Sequence, residues 1–74
     1  MNQIAVGQEL EFIEPAHVDG KTIEKGTRVR VGFVLDEMLE PKVTVVLLGK
    51  EPPETLTVPR HVLTVHCVPA RKHS

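Results

Sequence analysis

The side chains in this 74-residue chain that could do chemistry are few: four histidines, one cysteine, three carboxylate pairs and two arginines two positions apart. Zinc takes about four ligands converging at close range, commonly supplied as Cys or His at short spacing. His66 and Cys67 are adjacent, so on a strand they point to opposite faces and do not share an ion. His17 lies in an early loop and His61 directly after Pro59-Arg60. We therefore read the histidines as surface residues and expect no metal site and no cofactor. A nucleophilic cysteine needs a base and an electropositive, partly exposed niche. Cys67 alternates with Leu63 and Val65, which predicts an inward, small apolar residue instead. The sole serine is Ser74, which leaves no serine for an acyl-transfer triad.

Glu9/Glu11, Asp36/Glu37 and Glu51/Glu54 pair carboxylates, but no apolar setting separates the pKa values of any pair, as acid–base work requires. No glycine-rich phosphate loop occurs. The chain carries no catalytic constellation and is expected to bind and not to catalyse. Arg28 and Arg30 have two readings. In one they pair with Glu9 and Glu11 across neighbouring strands. In the other they join Arg60 and the tail Arg71-Lys72-His73 in contacting phosphate. Nine Lys and Arg against ten Asp and Glu leave a net charge of −1, whereas a dedicated duplex-binding domain carries a basic excess.

The elements that must position these residues are strands. Twelve Val, three Ile and six Thr against three Ala favour pleated surfaces. Pro and Gly recur at intervals too short for a helix of three turns. The first strand is expected over Gln8–Glu14, where Leu10 and Phe12 alternate with glutamates. A long connection follows, with Asp19-Gly20 as a turn and Val18 and Ile23 as the arms of a short hairpin. Thr27–Leu35 is the second strand, with Val29, Val31, Phe33 and Leu35 on one face and Arg28, Arg30, Gly32 and Val34 on the other. Gly32 in mid-strand signals a bulge or bend. Asp36–Pro41 reads as a loop with room for one helical turn. Lys42–Gly49 and Glu54–Val58 are the third and fourth strands, separated by Lys50-Glu51-Pro52-Pro53. Pro59-Arg60-His61 reads as one 3₁₀ turn, and Val62–Val68 as the fifth strand. The tail 69–74 is expected to be a flexible basic extension of a single domain over residues 1–68.

The segment Lys25-Gly26-Thr27-Arg28-Val29-Arg30-Val31 resembles the entry to the second strand of SH3-like small β-barrels. Leu56-Thr57-Val58-Pro59-Arg60-His61-Val62-Leu63 is similar to the stretch where such barrels place a 3₁₀ turn before the last strand. The likeness covers about residues 8–68 and implies an all-β, five-stranded barrel of the small, stand-alone bacterial type. One branch of that superfamily holds proline-rich ligands in aromatic grooves. With two Phe and no Trp or Tyr, this chain lacks such a groove. Another branch, the type II dihydrofolate reductases, lines a shared pore with a Val-Gln-Ile-Tyr run. Here Leu56-Thr57-Val58 stands before Pro59, without the amide or the phenol.

A small antiparallel barrel shows water one polar face per strand. Val46 and Leu48 on the third strand depart from that rule, and Val34 does so on the second. An apolar side chain moved from water to a contact is worth about 1.5–3 kcal/mol, so three together matter for association. We expect Val34, Val46 and Leu48 to form a subunit or protein interface. The competing reading folds the Glu37–Glu40 loop, with Met38 and Leu39, over them. Self-association suits a chain whose core is small and whose single cysteine precludes an internal disulfide. The lone cysteine and the lack of a signal-peptide run predict a cytoplasmic protein; no segment reaches transmembrane length. Nucleic-acid binding through Arg28, Arg30 and Arg60, and a ligand site formed only at an oligomer axis, stand as the alternatives.

Overall fold

The computed structural model describes residues 4–35, 39–49 and 51–70. Its elements are β1 (Glu9–Phe12), β2 (Ala16–Val18), β3 (Lys21–Ile23), β4 (Arg28–Leu35), β5 (Lys42–Leu47), β6 (Glu54–Pro59), α1 (Arg60–His66) and β7 (Cys67–Pro69). Five strands form one antiparallel sheet in the order β6-β5-β4-β1-β7, and β2 and β3 form a separate hairpin.

The hairpin arms meet as expected, with Ala16 opposite Ile23 and Val18 opposite Lys21. Asp19 and Gly20 both take positive φ, 52° and 76°, as a two-residue hairpin loop of right-handed twist demands. Ala16, Val18 and Ile23 are buried beneath the hairpin, which thereby covers one side of the sheet. That inner side supplies most of the rest of the core: Leu10 and Phe12 from β1, Val29 and Val31 from β4, Val43, Val45 and Leu47 from β5, and Leu56 and Val58 from β6, with Val62 and Leu63 of α1 and Cys67 of β7 completing it. Alternate residues of β1, β2, β5 and β6 face the core, so the period-two pattern in the sequence is physically realised there. Lys21 of the hairpin reaches Glu54 at the start of β6 in an ion pair.

The last quarter of the chain differs from expectation. The 3₁₀ turn is a seven-residue α-helix, and the strand expected over Val62–Val68 shrinks to Cys67–Pro69. Pro59 starts the helix from an extended conformation (φ −58°, ψ 141°), which suits a residue with no amide to donate. Val62 and Leu63 are buried while Val65 is 60% exposed, a helical and not an alternating pattern. Helical cost for β-branched Val62, Thr64 and Val65 is a few tenths of a kcal/mol each. Burying Leu63 completely returns about 1.5–3 kcal/mol. Thr64 Oγ1 also donates to the His61 carbonyl at 3.0 Å, and the Cys67 amide caps the helix on the Leu63 carbonyl. Burial therefore outweighs propensity.

The helix also explains why the expected closed barrel does not form. β6 and β7 lie at opposite edges of the sheet, and each is laddered on one side only. α1 takes the residues that a longer last strand would have used, leaving three to pair with β1: Cys67 with Phe12, Val68 with Glu11 and Pro69 with Leu10. Among the described residues the architecture is an open five-stranded sheet with a hairpin and one short helix.

Gly32 does mark a bulge: the β4–β5 register shifts between Val31, opposite Val45, and Phe33, opposite Thr44. The extra residue reverses the faces beyond it. Val34, opposite fully buried Val43, packs against the core, whereas Phe33 turns outward and is 57% exposed. The sequence expectation had these two interchanged, because uninterrupted alternation was carried through Gly32. Leu39 is fully exposed and folds over nothing. Glu37 and Met38 of the expected covering loop, Asp36 before them and the tail 71–74 lie outside the described residues.

Candidate functional site: the outer face of the sheet

Away from the core, the sheet presents side chains in rows set by the register. One row runs Val68, Glu11, Arg28, Leu48 across β7, β1, β4 and the end of β5. Leu48 follows the last ladder pair, and its amide donates to the Arg28 carbonyl at 2.9 Å, which keeps it beside Arg28. The next row runs Glu9, Arg30, Val46, Thr55. A third holds Phe33, Thr44 and Thr57, whose hydroxyls meet at 2.9 Å. The face is thus acidic along β1, basic along β4, apolar along β5 and hydroxylic along β6.

Glu9 lies opposite Arg30 and Glu11 opposite Arg28. Their charged atoms are 3.6 Å and 3.4 Å apart, with the arginines exposed and the glutamates partly exposed. Exposed cross-strand pairs of this kind contribute about 0.2–1 kcal/mol each. Of the two readings open for Arg28 and Arg30, the cross-strand pair is the one formed. Arg60 is not brought to them. It follows Pro59, which lies opposite Lys42 and thence Leu35, five residues along β4 from Arg30. That is roughly 16 Å at strand rise. Its amide donates to the Pro41 carbonyl at 2.9 Å.

Of the three expected interface residues, Val46 and Leu48 share the outer face, half-buried, and Val34 does not. Phe33 takes the place that Val34 was expected to hold. Gly32 was a signal for this exchange, since a one-residue bulge inverts every side chain beyond it.

The remaining candidates are dispersed. His17 Nδ1 lies 3.0 Å from Thr22 Oγ1 on the hairpin. His61 is exposed at the start of α1. His66 Nδ1, itself shielded from water, is 3.2 Å from Glu14 Oε1, an ion-pair distance without hydrogen-bond alignment. Among the described residues no three His, Cys, Asp or Glu side chains converge as metal ligands. Burial pushes the Cys67 thiol up to about 12, so at neutral pH it is protonated. An open groove of about 260 Å³ separates the hairpin from β6 and α1, lined by His17, Asp19, Lys42 and His61 among others. Its charges are of both signs. Among the described residues no helix is long and apolar enough to cross a membrane.

Compared with known proteins, the chain matches no family model, no curated protein and no solved structure.

Proposed function

We propose that this protein is a non-catalytic interaction module, cytoplasmic and SH3-like in plan, that associates with a second copy of itself through the outer face of its sheet. The observation that carries the reading is Phe33, 57% exposed on the same face as Val46 and Leu48. One of only two phenylalanines in the chain is spent on the surface, beside an apolar strand face. Apolar surface gathered in this way marks an interaction site. The SH3-like plan is supported by the strand order, by the hairpin inserted between β1 and β4, and by the helical segment before the last strand.

Binding suits the side chains better than catalysis. The one thiol is buried and protonated, and the carboxylates of the face are engaged by arginines. Nucleic-acid binding is less well supported, since Arg28 and Arg30 already face glutamates and Arg60 lies at the other end of the sheet. Sedimentation velocity from about 5 to 500 μM tests the proposal, the range in which weak interfaces are measurable. Concentration-dependent association that Phe33→Ser abolishes is the expected result. A wild-type protein that stays monomeric throughout overturns the proposal.

A further inference from the structure

The row Val68, Glu11, Arg28, Leu48 reads apolar, acidic, basic, apolar from one side of the sheet to the other. Reversed, it is complementary to itself. We infer that the second copy docks face to face about a two-fold axis running parallel to the strands above the β1–β4 seam, with the acidic column of each copy over the basic column of the other. This rests on the self-association proposed above and specifies its geometry.

Such an axis exchanges β1 with β4 and β7 with β5 while preserving position along the strands. Glu11 then meets Arg28 of the second copy, Glu9 meets Arg30 of the second copy, and Val68 meets Leu48 of the second copy. The same operation repeats each contact in the opposite sense, as an isologous interface requires. Val46 falls beside Ala70 of the second copy, because the Ala70 amide is bonded to the Glu9 carbonyl at 2.9 Å in the next row. Phe33 meets the Val6–Gly7 turn of the second copy. That turn is held to β4 by the Gly7 amide on the Val31 carbonyl at 2.8 Å, and Val6 is itself exposed.

Other axes do less. One above the β4–β5 seam sets the arginines over Val46 and Leu48, and one above β5 sets Arg30 over Thr55 and leaves Arg28 without an opposite charge. Only the β1–β4 seam matches charge with opposite charge and apolar with apolar. Each carboxylate then lies between its own arginine and that of the other copy, so the intrachain pairs are kept and extended into a network. Four strands at about 4.8 Å spacing and three to four rows make a small footprint, below the roughly 1,200 Å² of total buried surface typical of stable complexes. The dimer is accordingly weak and salt-sensitive.

Charge reversal tests the geometry. An acidic-faced variant carries Arg28→Glu and Arg30→Glu; a basic-faced variant carries Glu9→Arg and Glu11→Arg. Circular dichroism melts establish that each is folded. Alone, each is expected to self-associate at least about tenfold more weakly than wild type, and mixed in equal amounts they are expected to form the heterodimer. If both variants dimerise alone as well as wild type does, this docking geometry is overturned while self-association stands. A monomeric wild type overturns both. Should either variant fail to fold, the chain carrying all four substitutions restores every intrachain pair. That swapped chain is expected to dimerise with itself and not with wild type, read by native mass spectrometry. Free mixing with wild type overturns the inference.

Discussion

Phe12 and Phe33, the only two phenylalanines, lie on opposite sides of one sheet and respond oppositely to truncation. Phe12 is fully buried, so Phe12→Ala removes the whole side chain from the core and leaves a cavity. Such changes cost about 3–5 kcal/mol. A 74-residue domain is stable by only about 4–11 kcal/mol in total, so this one change consumes a large share. Phe33 keeps 57% of its surface in water. The shielded remainder of a roughly 200 Å² side chain is about 85 Å², worth at most about 2 kcal/mol at 25 cal/mol per Å². Alanine retains part of that, so Phe33→Ala is expected to cost about 1 kcal/mol or less. Urea titrations followed by circular dichroism at about 5 μM, where a weak dimer is dissociated, measure both. In thermal melts the two variants separate by roughly 10 °C or more. If Phe33→Ala costs as much as Phe12→Ala at that concentration, Phe33 is a core residue. The bulge at Gly32 and the interface built on it then both fail.

The helix is tested in the same way. Leu63→Ala is expected to cost about 2–5 kcal/mol and Val65→Ala about 0.5 kcal/mol or less, and equal losses in denaturant titrations point instead to a strand. Cys67 is expected to resist alkylation at pH 8 in the native protein and to react at once in urea; rapid labelling of the folded chain contradicts its burial. Its thiol also makes stability fall in alkali. Below pH 9 both states hold the proton, but between 9 and about 12 only the unfolded state releases it. Stability therefore declines with a slope of up to about 1.4 kcal/mol per pH unit, and Cys67→Ala is expected to flatten that part of the profile. With Arg28 and Arg30 facing glutamates, the protein is expected to pass through a heparin or DNA column at about 50 mM salt; retention that charge reversal of Arg28 and Arg30 removes restores the nucleic-acid reading.

Much of this structure was legible in one dimension. Alternation of Leu10 and Phe12 with glutamates, and of Val43, Val45 and Leu47 with their neighbours, placed strands because each side chain's face follows from its own position. Asp19-Gly20 specified its hairpin loop, since the tight right-handed turn needs two residues that tolerate positive φ. Pairing of Glu9 and Glu11 with Arg28 and Arg30 was one of two readings open in the sequence, because an antiparallel neighbour with the same period brings like rows together.

Three features were decided only in the folded molecule. Val62–His66 has the composition of a strand and is a helix, because the chain must pass from one edge of the sheet to the other while burying Val62 and Leu63. That need is set by strands far away in sequence. Gly32 announced an irregularity, but the consequence, Phe33 out and Val34 in, depends on the partner strand holding Thr44 and Val43 where it does. The outer face is likewise a product of register: Val68, Glu11, Arg28 and Leu48 span most of the chain and become neighbours only across four strands. Composition and spacing determine what each residue prefers locally. Pairing across the sheet decides which preferences are satisfied, because burial and ladder hydrogen bonds between distant segments exceed the few tenths of a kcal/mol that local propensity contributes.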